Sequence, residues 1–257
     1  MNFTEAEILG LVGSFIWPLM RISAMFVVLP VFSIRAVPAR VRLILSVALT
    51  LAVMPLLPAL PAVEPFSYAG GLVAVQQLAI GLVSGFIVQL VFAALVFAGQ
   101  GVAYSMGLGF AAMVDPQNGE QVPVVAQFYV ITGTLIFVGL DGHLLLIRML
   151  LDSFTTLPIG MAGLATADIW TVIAWSSRLF AGGLLLAMPM IASLLLVNVC
   201  FGVAARAAPQ LNIFSVGFPI TLMLGILLIW VTLPDVLDQF SGLLTDAYEL
   251  IGHLLRL

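Results

Sequence analysis

Apolar residues in this chain run in long unbroken blocks, with no strict alternation between apolar and polar positions. Six blocks stand out, roughly 8–33, 41–62, 69–104, 124–151, 170–205 and 211–233, with a short amphipathic tail to residue 257. About 20 consecutive apolar residues cross a bilayer core as a helix, whereas a membrane β-barrel shows short alternating segments. The pattern therefore predicts an all-α integral membrane protein with about six hydrophobic helical regions arranged as hairpins. The third and fifth blocks are too long for one simple span, so they tilt, extend beyond the membrane or bend. Pro18, Pro55, Pro189 and Pro219 lie inside blocks. Each removes a backbone donor and crowds the preceding turn, which predicts kinked helices. Gly81 and Gly85 form a GxxxG, and Gly99, Gly101 and Gly182-Gly183 add smooth surfaces for close helix approach.

Two stretches break the pattern. GLGFAAMVDPQNGEQVP, residues 107–123, contains the turn signals Asp115-Pro116 and Asn118-Gly119, yet its first half is too apolar for a water-washed loop. GLDGHLLLIRMLLDSF places charges inside an apolar block: a helix there brings Asp141, Arg148 and Asp152 within about 40° of one face. Arg148 can pair with either carboxylate, most simply Asp152 one turn on. The group reads either as a buried structural ion pair or, with His143 beside it, as a proton relay. Gly142 can also break this helix. Arg21 and Arg178 are further cations within apolar blocks and are expected to face partners, not lipid.

Composition agrees with the pattern. Of 257 residues, 63% are hydrophobic and 8% charged, too few charges to cover a soluble domain. The eight basic residues are all Arg, and the net charge of −4 is spread without acidic or basic runs, which argues against nucleic acid as a partner. A lone cysteine, Cys200, excludes a disulfide framework and reads as a structural thiol. With His143 and His253 the only histidines and no HExxH, CxxC, P-loop, GxSxG or dinucleotide fingerprint, no metal site, cofactor or catalytic activity is expected. The first block lacks a basic n-region and a cleavage site, so it is expected to remain as a span. Arg35, Arg40, Arg42 and Arg206 fall in loops on one side. By the positive-inside rule this puts both termini outside the cytoplasm and the 107–123 loop on the arginine-rich side.

Three stretches carry a family resemblance. APQLNIFSVGFPITLMLG (208–225), with Pro209, Gln210, Phe214, Gly217 and Pro219, resembles the C-terminal signature of the FliR/SctT family of type III export-gate proteins. GLGFAAMVDPQ…VPVVAQF (107–128) and GHLLLIRMLLDSFTTLPIG (142–160) are similar to two further family stretches, in the same order. One departure is Asp141, where the family pattern favours a neutral residue such as Asn; this leaves its pairing with Arg148 open.

The resemblance implies a non-enzymatic subunit of the flagellar export gate in the bacterial inner membrane, at the flagellar basal body. There it would complete a hetero-oligomeric channel with FliP and FliQ that passes unfolded flagellar proteins, with FlhB and FlhA associated. The single export-gate domain, 1–257, would comprise a FliP-like part over about 1–160 and a FliQ-like helical hairpin over about 161–257. It further implies strongly kinked helices standing largely above the bilayer, against the ordinary hairpins that the orientation rule assumes. The oily loop would plug the pore. Met106, Phe110, Met113 and Val114 would supply apolar bulk, Gly107 and Gly109 a hinge, and Asp115-Pro116 the turn back to the wall. An injectisome gate subunit shares the implied fold. A secondary transporter, using Asp141, His143 and Arg148 as a coupling site, is the rival from another class.

Overall fold

The computed structural model describes residues 5–33, 37–57, 63–65, 67–109, 123–161, 163–207 and 213–257. Among them all regular structure is helical. In order these are α1 (Glu5–Val28), α2 (Pro30–Ser33), α3 (Ala39–Val53) with a 3-10 turn (Met54–Leu56), α4 (Tyr68–Ser105), α5 (Val124–Gly139), α6 (Gly142–Thr156), α7 (Thr166–Trp175), α8 (Ser177–Ala207) and α9 (Ile213–Leu255). Four stretches are long and apolar enough to cross a membrane: Ala39–Leu56, Tyr68–Ser105, Thr166–Ala207 and Gly217–Leu255. A fifth is gained if α5 and α6 form one broken span. The expected count of about six is thus not reached among the described residues. Within the first block, the apolar helix Val12–Val28 is shorter than a full span.

The tail expected after residue 233 is no separate element. α9 runs for 43 residues with Pro219 and Pro234 inside it. Asp235, Asp238, Asp246 and Glu249 gave the tail its polar look, but Val236, Phe240, Leu244, Ala247, Ile251 and Leu254 are buried at spacings of three and four. That is the stripe of a helix with one packed face. At 1.5 Å per residue, α4 and α9 reach roughly 57 and 64 Å, about twice a hydrocarbon core.

Two compact units are present. Unit 1 comprises residues 1–90, 138–176 and 244–257; unit 2 comprises 91–137 and 177–243. In unit 1, the GxxxG of α4 is used within the chain. A Cβ at Gly81 would overlap the Arg21 carbonyl oxygen, and one at Gly85 would lie 2.9 Å from that of Met25. α4 therefore lies backbone-close to α1, an approach that only small residues permit. α3 packs on α1 and buries a narrow stripe of Ser46, Thr50 and Val53. The two hydroxyls donate one turn back, Ser46 Oγ to Arg42 O and Thr50 Oγ1 to Ser46 O, so neither is left unbonded. The last turns of α9 bond both ends of α6: Tyr248 donates to Gly142 O at 3.0 Å and Thr156 Oγ1 to Leu255 O at 2.5 Å.

Unit 2 is packed by aromatics and glycines. Phe92 meets Phe137 and Phe240 edge-on, with ring centroids 5.6 and 5.4 Å apart, and Phe97 meets Phe180 at 5.7 Å. Such T-shaped pairs contribute about 0.5–1.5 kcal/mol beyond burial. A Cβ at Gly99 would overlap the Ala126 Cα, so α4 and α5 are in near-backbone contact.

Candidate functional site

The root of the 107–123 loop is well defined. After Ser105, Leu108 N–H donates to Ala103 O and Gly107 N–H to Tyr104 O, both at 3.0 Å. With Gly107 at φ 82°, this is a Schellman cap, and it satisfies carbonyls that a helix end leaves open. Asn198 on α8 donates to Ser105 O at 3.4 Å. Gly107, expected to be a hinge, is the left-handed residue that ends α4. A Cβ there would also press on the Phe218 ring at 3.3 Å. Met106 is buried against Gly225, where a Cβ would overlap its thioether. Gly109 lies against the Tyr104 ring.

Phe218 and Gly225 belong to the 208–225 stretch, so two of the three family-like stretches meet at the loop root, within unit 2. Gly217 and Pro219 lie in α9, Gly217 buried; Phe214 lies in its first turn. Phe110, Met113, Val114, Asp115 and Pro116, and Pro209 and Gln210, lie outside the described residues.

The third stretch forms α6 and its exit. α5 and α6 are separated at Leu140-Asp141, where Asp141 takes φ 54°, ψ 25°. Asp and Asn tolerate this left-handed conformation better than other side chains, which accounts for a residue of that shape here. Arg148 and Asp152 pair at 3.8 Å, as the spacing suggested. Within this chain the pair is 82% and 57% exposed, so the chain alone does not bury it. Asp141 is exposed too, and among the described residues no ion pair joins it to Arg148. Arg178 and Cys200 are likewise exposed.

The buried cation is Arg21, which is fully buried. Its Nε donates to Gln77 Oε1 at 2.8 Å, Nη1 to Ser153 Oγ at 2.9 Å and Nη2 to Leu157 O at 2.9 Å. The guanidinium stands 4.3 Å from the centroid of the Phe154 ring. Local sequence prepares each partner. Pro158 pushes Leu157 out of the helical region, to φ −120°, ψ 76°, ending α6 and freeing its carbonyl. Ser153 donates onward to Leu150 O. Gln77 sits one turn before Gly81, where α4 approaches α1 most closely. The neighbouring Gln76 accepts from Leu164 N–H at 3.2 Å, fixing the segment after α6. Arg21 thus caps the negative end of the α6 dipole from inside unit 1. The expectation that Arg21 faces a partner is met within the chain. What sequence reading missed was Gln76-Gln77, an adjacent amide pair in an otherwise apolar helix.

Residues 12–247 match the family model of bacterial export proteins, family 1. The chain belongs to this family. Among its relatives, the flagellar biosynthetic protein FliR of Pectobacterium carotovorum is 39% identical over 99% of this chain and 97% of its own length. The protein of the same name from Escherichia coli K12 is 38% identical over the same shares, and that of Aquifex aeolicus 30% over 92% and 91%. Membership spans the loop root, α6 and the Arg21 node together.

Proposed function

We propose that this chain is a subunit of the flagellar protein export gate in the bacterial inner membrane, forming a channel for unfolded flagellar proteins with FliP and FliQ, above FlhB and FlhA. Residues 107–123 act as its plug. In this reading about 1–160 is the FliP-like part and about 161–257 the FliQ-like part. That the relatives are flagellar biosynthetic proteins favours flagellar over injectisome substrates.

The observation that carries the plug is the loop root. A plug needs a rigid base and an apolar tip: a pore wide enough for an unfolded chain leaks ions unless its narrowest point is dewetted. The Schellman cap at Gly107, with Met106 seated on Gly225, supplies the base. The sequence that follows, from Phe110 to Val114, supplies the apolar tip. Helices of roughly twice the bilayer core's length support a channel that stands partly outside the hydrocarbon.

Shortening the loop through Phe110–Val114 tests this. The expected outcome is a complex recovered at normal yield whose membranes leak small ions at rest, measured as conductance of cells expressing the variant. A bulky residue at Gly107 is expected instead to disturb the cap and lower assembly. Tight membranes around an intact complex carrying the deletion would sink the plug.

A further inference from the structure

We infer that the Arg21–Gln77 node is a binding site for one small monovalent anion of the halide class. Gln77 is fully buried, and its amide orientation is fixed by chemistry: Oε1 must face the Arg21 Nε–H, since a flipped amide would set two donors against each other. Nε2 is then turned away, and it has no acceptor among the described residues. Two buried N–H donors are left over on Gln77. Arg21 has five N–H groups, and its bonds to Gln77, Ser153 and Leu157 engage three of them. Ser153 cannot make up the deficit, because its own proton goes to Leu150 O.

The node therefore has surplus donors and a full positive charge. Among the described residues no carboxylate lies within ion-pair distance of Arg21, and the α6 dipole offsets only about half a charge. A buried, unpaired donor is rare enough in folded proteins to point to an occupant, and here the occupant must accept hydrogen bonds. A negative charge satisfies both deficits at once. The surroundings are closed, with Arg21, Gln77, Ser153 and Phe154 all buried, so the anion is small, and the one guanidinium balances a single negative charge.

The test uses the full chain in its purified membrane complex. Its thermal midpoint is measured at constant ionic strength in sodium chloride, sodium bromide and sodium gluconate, for wild type and for Gln77→Glu. The glutamate supplies a carboxylate to Arg21 and removes both surplus donors. Wild type is expected to melt roughly 3–6 °C higher in chloride or bromide than in gluconate, the shift that saturating a site about tenfold above its Kd produces in a chain of this size. Gln77→Glu is expected to melt at one temperature in all three. Equal wild-type midpoints in all three salts overturn the site, since occupancy by water alone is indifferent to the anion. An equal response of wild type and Gln77→Glu also overturns it, because the salt effect then lies elsewhere. If Gln77→Glu fails to assemble, Gln77→Leu takes its place, with the same criterion of a lost chloride response.

Discussion

Each of the two compact units is held together internally by a different chemistry. In unit 1 the buried side chains include Arg21, Ser46, Thr50, Gln77, Ser84 and Ser153, whereas in unit 2 the buried polar groups among the described residues are Thr221 and the Tyr129 hydroxyl, which donates to Met190 Sδ at 3.3 Å. Unit 1 is organised around a directional node, where one guanidinium ties α1 to α4 and to the end of α6. Unit 2 is organised by shape: edge-on phenylalanines and glycines that let backbones touch. A hydrogen-bonded node fails when one member is removed, because the others are left buried and unsatisfied. A shape-packed core fails when volume is added. The same kind of helix, in one chain, is thus sensitive to opposite errors.

Replacing Arg21 has the largest expected effect. Arg21→Met leaves Gln77, Ser153 and the Leu157 carbonyl without their donor, a loss upwards of about 3 kcal/mol, read as collapsed yield of the complex. Arg21→Lys keeps the charge but cannot serve three acceptors with one fork, so its recovery is expected to fall between those of Met and wild type. Equal recovery of all three proteins would erase the contrast between the units.

Gly99→Ala sharpens it from the other side, at about 1–3 kcal/mol. The clash is with the Ala126 backbone, so Ala126→Gly is expected not to rescue it. The measurement is the thermal midpoint of single and double variants, and full rescue would show that the contact is only a side-chain one.

Arg256→Gly is the smallest change. Arg256 holds φ 59° at the end of α9, where Leu257 N–H bonds Gly252 O and Arg256 N–H bonds His253 O. Glycine relieves about 1 kcal/mol of left-handed strain, offset in part by losing a cation at the helix C-terminus. A midpoint unchanged or slightly raised is expected, and a large drop would show that Arg256 has a partner of its own.

Much of this was legible in the residues. The long α4, the break beside Gly142 and the pairing of Arg148 with Asp152 all follow from spacing. The end of α6 follows from Pro158. Two things were hidden for physical reasons. Arg21 was visible as a misplaced charge, but its partners lie 56, 132 and 136 residues away, beyond any local period. The continuation of α9 past Pro234 was masked by four acidic residues on its outer face, which resemble the exit from a membrane. The cap at Gly107 was not read from the sequence, because it depends on the positive φ taken there.

The contrast also shows where the chain leaves apolar faces uncovered. Of the candidate span in α4, 61% is buried within the chain; for Ala39–Leu56 and for Gly217–Leu255 the share is 17%, and for Thr166–Ala207 it is 22%. Ile44, Leu196, Met223 and Trp230 are among the large apolar side chains left exposed there. Under the proposed function, other subunits of an export gate cover these faces. The direct measurement is the mass of the intact assembly after co-expression with FliP and FliQ, alongside limited proteolysis of the chain expressed alone. The chain is expected in one hetero-oligomer of fixed mass, and alone as a heterogeneous, protease-sensitive species. A monodisperse monomer with the protection pattern of the assembly would contradict the claim.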